Sequence, residues 1–248
     1  ALIRLLIEQY TREAGVRQLE RTLASVIRKV ARERMESAHV PSTLKLDAQW
    51  VERQLGPSTH PPHEHETIAE HGLALGLGWT PSGGEILFME ATCLPGTGKL
   101  ILTGSLGDVM KESAQAALTH LRSQAQTMGL NLPPMDEHDI HLHVPAGATP
   151  KDGPSAGICI FAALASLFLK RKLPSRVAMT GEISLRGRVL PVGGIREKLL
   201  AAVRCGMREV LLPEANRRAW DEVPVEVQKR LKIHWVKNVE DMMGVLFQ

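Results

Sequence analysis

Ser155 lies within the segment KDGPSAG, residues 151–157, whose residue types suit a nucleophilic site. Pro154 is typical of the first position of a helix, because its missing N–H costs nothing there. Ser155 would then occupy the first helical turn, where free backbone N–H groups and the positive end of the helix dipole can stabilise an oxyanion. The small residues beside it leave room for an extended substrate backbone. A serine that merely packs at a helix start is the alternative that so short a pattern leaves open.

Lys198 is predicted to lie on the apolar face of a helix over residues 195–205. At about 100° per residue, Ile195, Leu199 and Ala202 share one arc, and Lys198 falls within that arc. A lysine placed there has to reach solvent, find a partner or lose its proton. The ordinary lysine pKa is about 10.4 and a useful general base needs roughly 7–8, so burial has to lower the pKa by about 3 units, or about 4 kcal/mol. If Lys198 meets Ser155, its neutral amine can take the serine proton, as in Ser-Lys variants of the catalytic triad.

A different catalytic arrangement also fits the same serine. Residues 153–157 match the nucleophile-elbow pattern G-x-S-x-G, and Asp221 and His234 follow Ser155 in the chain order of α/β-hydrolases. That fold requires a strand that ends at the serine, whereas residues 145–153 are predicted to be a loop. A hydrolase using Ser155, Asp221 and His234 is therefore kept as the weaker hypothesis.

Other patterns are interpreted as chance matches or surface features. GTGK, residues 96–99, resembles the end of a phosphate-binding loop, but Cys93 replaces the required upstream glycine and Leu100 the magnesium-binding Ser or Thr. STLK, residues 42–45, matches the S-x-x-K pattern of penicillin-binding enzymes without the K-T-G that should follow. The histidines have no acidic or cysteine ligand at a supporting spacing, so no metal site is predicted. They are His138, His141 and His143 near one strand and His60, His63 and His65 in a linker.

The composition is that of an ordinary globular protein and does not indicate a partner. Of 248 residues, 44% are hydrophobic and 23% charged, and the net charge of +3 is too small to indicate nucleic-acid binding. The three cysteines are far apart, which favours reduced thiols in an intracellular protein over a disulfide framework or a zinc site. No apolar run reaches the length of a membrane span. Because the chain begins with Ala, we expect an excised or processed fragment.

The pattern of apolar residues divides the chain into two parts. Residues 1–57 are predicted to be helical, with Asp47 as the N-cap of a third helix through Leu55. Residues 58–66, rich in Pro, His and Glu, are predicted to be a linker. Residues 67–248 mix strands and helices, including a predicted strand over 177–185, and so indicate one α+β domain.

Long motifs in the second part resemble the catalytic domain of Lon proteases. They are WTPSGGEILFMEA, PGTGKLILTGSLGDVMKES, HLHVPAGATPKDGPSAG and MTGEISLRGRVLPVGGIREKLLAA. The resemblance covers residues 70–240 and implies a fold similar to the second domain of ribosomal protein S5. It also implies that Ser155 and Lys198 form the catalytic dyad, that Thr180 hydrogen-bonds the lysine, and that Asp152 serves a gating or oxyanion loop. An N-cap role is the favoured alternative for Asp152. Trp79 and Glu90 are placed in a loop region, with packing and surface charge as their favoured roles.

The segment YTREAGVRQLER in the first part resembles the small helical subdomain of the Lon AAA+ ATPase module. The resemblance makes Arg17 the residue that senses bound nucleotide. It implies an ATP-dependent serine endopeptidase that uses ATP and magnesium, whereas this chain holds no cofactor of its own. It further implies a homohexamer, unfolded or regulatory protein substrates, and a bacterial cytoplasm or an organelle matrix as the location. DNA binding is a property of the family that this sequence does not support. An inactive Lon-like scaffold is the non-enzyme alternative, and the presence of both dyad residues argues against it.

Overall fold

The computed structural model describes residues 2–11, 13, 15–36, 45–59, 70–81, 83–145 and 150–248. They form two compact units, Ala1–Glu64 and His65–Gln248. Residues 60–66 of the predicted linker, with its three histidines, and Ser42–Leu44 of the S-x-x-K match lie outside the described residues. Among the described helices, none combines the length and the apolar character that a membrane span requires.

The described residues of the first unit form three amphipathic helices: α1 (Leu2–Tyr10), α2 (Arg17–Glu36) and α3 (Ala48–Leu55). Each helix buries a single stripe of apolar side chains, because only one face of a helix in so small a unit can reach the core. Asp47 accepts the backbone N–H of Trp50 at 3.0 Å, so it caps α3 as the sequence predicts. Trp50 is buried, and its ring N–H donates to Glu33 of α2 at 2.7 Å. The small core is completed by Leu6, Tyr10, Val26 and Val51.

The second unit is built on a seven-stranded mixed sheet with the order β3-β4-β2-β1-β5-β8-β9. A pair of short strands, β6 and β7, forms a separate ladder. The four neighbours β1, β5, β8 and β9 run parallel, so their carboxyl ends share one edge of the sheet. The strands are β1 (Leu73–Thr80), β2 (Gly83–Pro95), β3 (Leu100–Thr103), β4 (His138–His143), β5 (Val177–Met179), β6 (Glu182–Ile183), β7 (Val189–Leu190), β8 (Glu209–Pro213) and β9 (Lys232–Val236).

Helices cover both faces of this sheet and give the predicted α+β domain. The helices are α4 (Asp108–Gln124), α5 (Gly157–Leu169), α6 (Ile195–Arg204), α7 (Arg217–Trp220), α8 (Val225–Gln228) and α9 (Val239–Leu246). Strand alternation separates two cores, because neighbouring side chains point to opposite faces. Met179 and Leu211 pack with α4, α5 and α9, while Ala178 and Leu212 pack with α6 and α8. The apolar helix α5 is almost completely buried, as its uniformly apolar sequence indicates.

The prediction of one continuous strand over residues 177–185 was wrong in one respect. It breaks after Met179 into β5 of the main sheet and β6 of the separate ladder. A side chain at Gly181 would lie about 3.0 Å from Val189 and 3.1 Å from Ile158, so the backbone approaches its neighbours more closely than a regular strand allows. The break places Thr180 and Gly181 at the carboxyl edge of the parallel strands, which is where the candidate site lies.

Candidate active site

Ser155 lies in a 3₁₀ turn, Pro154–Ala156, that leads directly into α5. Pro154 occupies the start of this turn, as the sequence predicts. The Ser155 carbonyl accepts the backbone N–H of Gly181 at 2.9 Å and the Thr180 hydroxyl at 3.2 Å. In return, the Ile158 N–H donates to the Gly181 carbonyl at 3.1 Å. The turn is therefore fixed to the strand break at residues 180–181.

Lys198 lies on the buried face of α6 and is only 2% exposed. Its Nζ donates to the Thr180 hydroxyl oxygen at 3.0 Å. Burial lowers the pKa of Lys198 from 10.5 to about 8, because the charged amine has lost most of its hydration. Burial is the cause of this shift, and no carboxylate among the described residues opposes it. The helical-wheel prediction that this lysine faces the core is confirmed.

Thr180 is fully buried, and its hydroxyl links Ser155 to Lys198 by two hydrogen bonds whose directions can be assigned. A hydroxyl has one proton to donate, and Thr180 donates it to the Ser155 carbonyl. The same oxygen can then only accept from Lys198, so a neutral Lys198 amine donates one of its N–H groups to Thr180. The lone pair of the lysine nitrogen is left free to accept a proton from another group.

The hydroxyl of Ser155 and the amine of Lys198 share no direct hydrogen bond in this conformation, as far as the described residues go. The two side chains are linked through Thr180 and the Ser155 backbone. Among the backbone N–H groups near Ser155, those of Gly157 and Ile158 donate to the Pro154 and Gly181 carbonyls. Because these two N–H groups already have carbonyl partners, other donors of the turn have to hold an oxyanion.

Asp152 caps helix α4 from a distant part of the chain. Its Oδ1 accepts the N–H of Met110, in the first turn of α4, at 3.0 Å and the N–H of Gly153 at 2.8 Å. Gly107 precedes α4 without a side chain of its own, and a Cβ there would lie 2.3 Å from Asp152 Cγ. The carboxylate thus satisfies the helix start and fastens the segment before Ser155 to α4.

We expect Asp152→Ala to lower the free energy of unfolding by about 1 kcal/mol, the usual effect of losing an N-cap. Asp152→Asn keeps an acceptor and should lose only a few tenths of a kcal/mol. Urea denaturation of the variants measures both values. Asp108→Ala, an exposed carboxylate on the first turn of the same helix, is the matched control and should change stability much less. Equal losses for Asp152→Ala and Asp108→Ala would show that the contact with Met110 is not a cap.

Lys151 is a buried lysine in the same segment that the sequence analysis did not single out. It is 6% exposed, and its Nζ donates to the Gly104 carbonyl at 3.2 Å. Its backbone accepts from Gly107 at 2.7 Å and donates to Ser105 at 3.0 Å, which forms an isolated parallel bridge between Leu106 and Lys151. Burial lowers the pKa of Lys151, and nearby Glu85 opposes this shift. The position of Lys151 beside Asp152 in KDGPSAG is the sequence feature that could have marked it as a residue of the site.

The residues of the hydrolase hypothesis do not assemble a triad. His234 Nε2 hydrogen-bonds Glu209 across the β8–β9 pair, where Lys232 also lies 3.3 Å from Glu209. Asp221 is exposed at the carboxyl end of α7, and no hydrogen bond between described residues joins it to His234. His234 is therefore engaged with Glu209 on the sheet, and no hydrogen bond between described residues joins a histidine to the Ser155 hydroxyl.

The sequence matches interpreted as chance have structural roles of their own. The carboxylate of Asp139 fills the GTGK turn by accepting the N–H groups of Lys99 at 2.8 Å and Thr97 at 2.7 Å, and these bonds lower the pKa of Asp139. The Thr103 hydroxyl lies 2.9 Å from His141 Nε2 and 2.7 Å from His143 Nδ1. Within the described part of the chain, no three His, Cys, Asp or Glu residues are grouped as a metal site would require.

The sequence also singled out Trp79, Glu90 and Arg17. Trp79 and Glu90, which the sequence placed in a loop region, lie on strands β1 and β2, so that prediction was wrong. Both face solvent in part, and Trp79 packs beside Gly194 at the start of α6. Arg17 is exposed at the first position of α2 in the other unit.

Comparison with known proteins finds matches along the whole chain. The profile of the Lon protease (S16) C-terminal proteolytic domain matches residues 45–248, and that of the Lon protease AAA+ ATPase lid domain matches residues 1–42. Lon protease of Desulfovibrio desulfuricans is 48% identical over 100% of the chain, and that of Syntrophus aciditrophicus is 50% identical over 98%. Lon protease 1 of Thermus thermophilus is 49% identical over 98%.

The chain spans only 28%, 30% and 31% of the length of these three relatives, respectively. It matches them along essentially its whole length, and the two profiles follow each other in chain order. On these grounds the chain belongs to the Lon protease family.

Proposed function

We propose that this chain is the peptide-hydrolysing part of an ATP-dependent serine endopeptidase, with Ser155 as nucleophile and Lys198 as general base. One observation carries the proposal: a buried amine, with no carboxylate partner in the described part of the chain, is bonded to the same threonine that holds the Ser155 carbonyl. Near neutral pH a useful fraction of such an amine is unprotonated, which an exposed lysine cannot offer.

The chemistry follows from these two groups. The neutral Lys198 amine takes the proton of the Ser155 hydroxyl as the serine oxygen attacks the substrate carbonyl. The C–N bond then breaks, Lys198 returns the proton to the leaving amine, and Ser155 remains acylated. Water next gives a proton to Lys198 and attacks the ester carbonyl. The ester C–O bond then breaks, Lys198 returns that proton to the Ser155 oxygen, and the carboxylic acid leaves. The serine hydroxyl has to close on the amine for the first step, and such bonds often tighten only when substrate is bound.

Thr180 is proposed to orient the amine. We expect Thr180→Val to lower kcat by about 10- to 100-fold, because it leaves a buried N–H of Lys198 and the Ser155 carbonyl without their shared partner. Thr180→Ser keeps the hydroxyl and should recover most of the rate. Hydrolysis of a fluorogenic peptide by the three proteins measures this effect. A Thr180→Val protein as active as wild type would contradict the role, and failure of Thr180→Ser to rescue would indicate a packing role for the methyl group.

The wider protein is proposed from the family to which the chain belongs. Residues 1–57 are proposed to be the AAA+ lid with Arg17 as the nucleotide sensor, residues 58–66 a linker, and residues 67–248 a proteolytic domain similar to the second domain of ribosomal protein S5. The lid profile over residues 1–42 supports an ATPase that uses ATP and magnesium. We propose a homohexamer in a bacterial cytoplasm that degrades unfolded and regulatory proteins. Separated cysteines and bacterial relatives support that location.

Cleavage of a permanently unfolded, alkylated protein tests the reaction class. Endoproteolysis should create new amino termini inside the substrate, and this cleavage should persist in His234→Ala, whose histidine serves the Glu209 pair. Loss of activity in His234→Ala with retention in Lys198→Ala would favour the α/β-hydrolase. A protein that neither cleaves the substrate nor forms an ester on Ser155 with an activated peptidyl ester would favour the inactive scaffold.

A further inference from the structure

Asn216 binds both backbone groups of a residue that lies 24 positions earlier in the chain. The Val192 N–H donates to Asn216 Oδ1 at 3.0 Å, and Asn216 Nδ2 donates to the Val192 carbonyl at 2.9 Å. The side-chain amide thus repeats the two-bond exchange of a hydrogen-bonded pair in an antiparallel sheet. Two simultaneous bonds to one residue fix the orientation of its backbone as well as its distance.

The helix that follows Asn216 makes no use of its side-chain amide. Asn216 ends a 3₁₀ turn, Glu214–Asn216, that leads directly into α7, and its side chain makes no cap bond to that helix. Asn238 shows the ordinary behaviour, because as the N-cap of α9 it accepts the Asp241 N–H at 2.8 Å. The contrast indicates that Asn216 is committed to Val192 rather than to its own helix.

Val192 leads into α6 through two glycines, and α6 carries Lys198. Gly194 is the N-cap of this helix in a left-handed conformation, φ +70°, and it has no side chain with which to cap. A Cβ added to Gly193 would meet no atom within 4 Å, so that side of the residue faces open space. Glycines lose much backbone freedom on ordering, which makes an anchor on the preceding residue effective. Lys198 lies only one turn into the helix, with its N–H on the Gly194 carbonyl at 3.0 Å.

We propose that Asn216 is a positioning residue that holds the start of α6, and through it the amine of Lys198, in place against Thr180. The proposal rests on the proposed function of Lys198. Asn216 itself contacts neither reacting group. Its effect is expected on where the amine lies and how deeply it is buried, while substrate binding should be untouched.

Two variants and one matched control test this role. Asn216→Ala removes both bonds, and Asn216→Asp keeps the acceptor while placing a negative charge against the Val192 carbonyl. Either variant is expected to lower kcat for a fluorogenic peptide about tenfold, the scale of the hydrogen bonds removed, with KM unchanged. Asn238→Ala removes a local cap elsewhere in the unit and should lower stability without lowering kcat.

A readout that does not depend on catalysis separates this proposal from the proposed function. NMR titration of the Lys198 side chain should show its pKa moving up toward the ordinary lysine value in Asn216→Ala, because a loosened α6 admits water, and not moving in Asn238→Ala. If Asn216→Ala does not fold, Asn216→Asp provides the same comparison. An unchanged Lys198 titration and kcat in a folded Asn216 variant would overturn the positioning role. A moved titration in a protein whose activity does not depend on Lys198 would retain the positioning role and reject the proposed function.

Discussion

Lys198→Met should lower peptide hydrolysis by at least about 10³-fold while the protein stays folded. Methionine keeps a long unbranched side chain in the buried space but cannot accept a proton from Ser155. The kcat for a fluorogenic peptide and the circular dichroism spectrum of the same sample measure the two effects. Arg196→Met, on the exposed side of the same helix, is the matched control and should retain activity. Substantial activity in Lys198→Met would show that another group accepts the proton.

Lys198→Met, which should lower activity, should have the opposite effect on stability. The pKa of Lys198 is lowered from 10.5 to about 8 on folding, so between these values the unfolded chain binds more protons than the folded one. Wild-type stability should therefore rise with pH across this window, and the stabilisation should be lost as pH falls toward 8. The shift corresponds to about 3 kcal/mol. Lys198→Met should abolish this dependence, since it leaves no buried amine to protonate.

Ser155→Ala is expected to remove peptide hydrolysis to the same extent as Lys198→Met. Because the two groups act in one proton transfer, the double variant should be no slower than either single one. An activated peptidyl ester should acylate the wild-type protein once, on Ser155, and should leave Ser155→Ala unmodified in mass spectrometry. Ser123→Ala, a serine of α4 that bonds the His120 carbonyl, is the control. Additive losses in the double variant would mean that Ser155 and Lys198 do not act as a unit.

Features that depend on residues close in sequence were predictable. The helical wheel placed Lys198 with Leu199 and Ala202 on the buried face of α6, because that relation depends only on helix periodicity. Pro154 likewise marked the turn that holds Ser155. The α+β architecture followed from alternating strand and helix patterns, although the pattern could not show where one strand would break.

Features that depend on residues far apart in sequence were not predictable from spacing. The break at Thr180 arises because Gly181 packs against α5 and bonds Ser155, which no local pattern reveals. Asp152 caps a helix that begins 44 residues earlier, at Asp108, and Asn216 binds the backbone of Val192, 24 positions earlier. In both cases a side chain that can bond its own neighbouring backbone takes a distant partner instead.

The most direct test of the proton transfer is the rate of Ser155 acylation by an activated peptidyl ester as a function of pH, corrected for spontaneous ester hydrolysis. The wild-type rate should rise with a single midpoint of about 8, where Lys198 loses its proton, and Lys198→Met should react slowly without that midpoint. A wild-type profile that is flat through pH 8, or a midpoint that persists in Lys198→Met, would contradict the assignment of Lys198 as the base that activates Ser155.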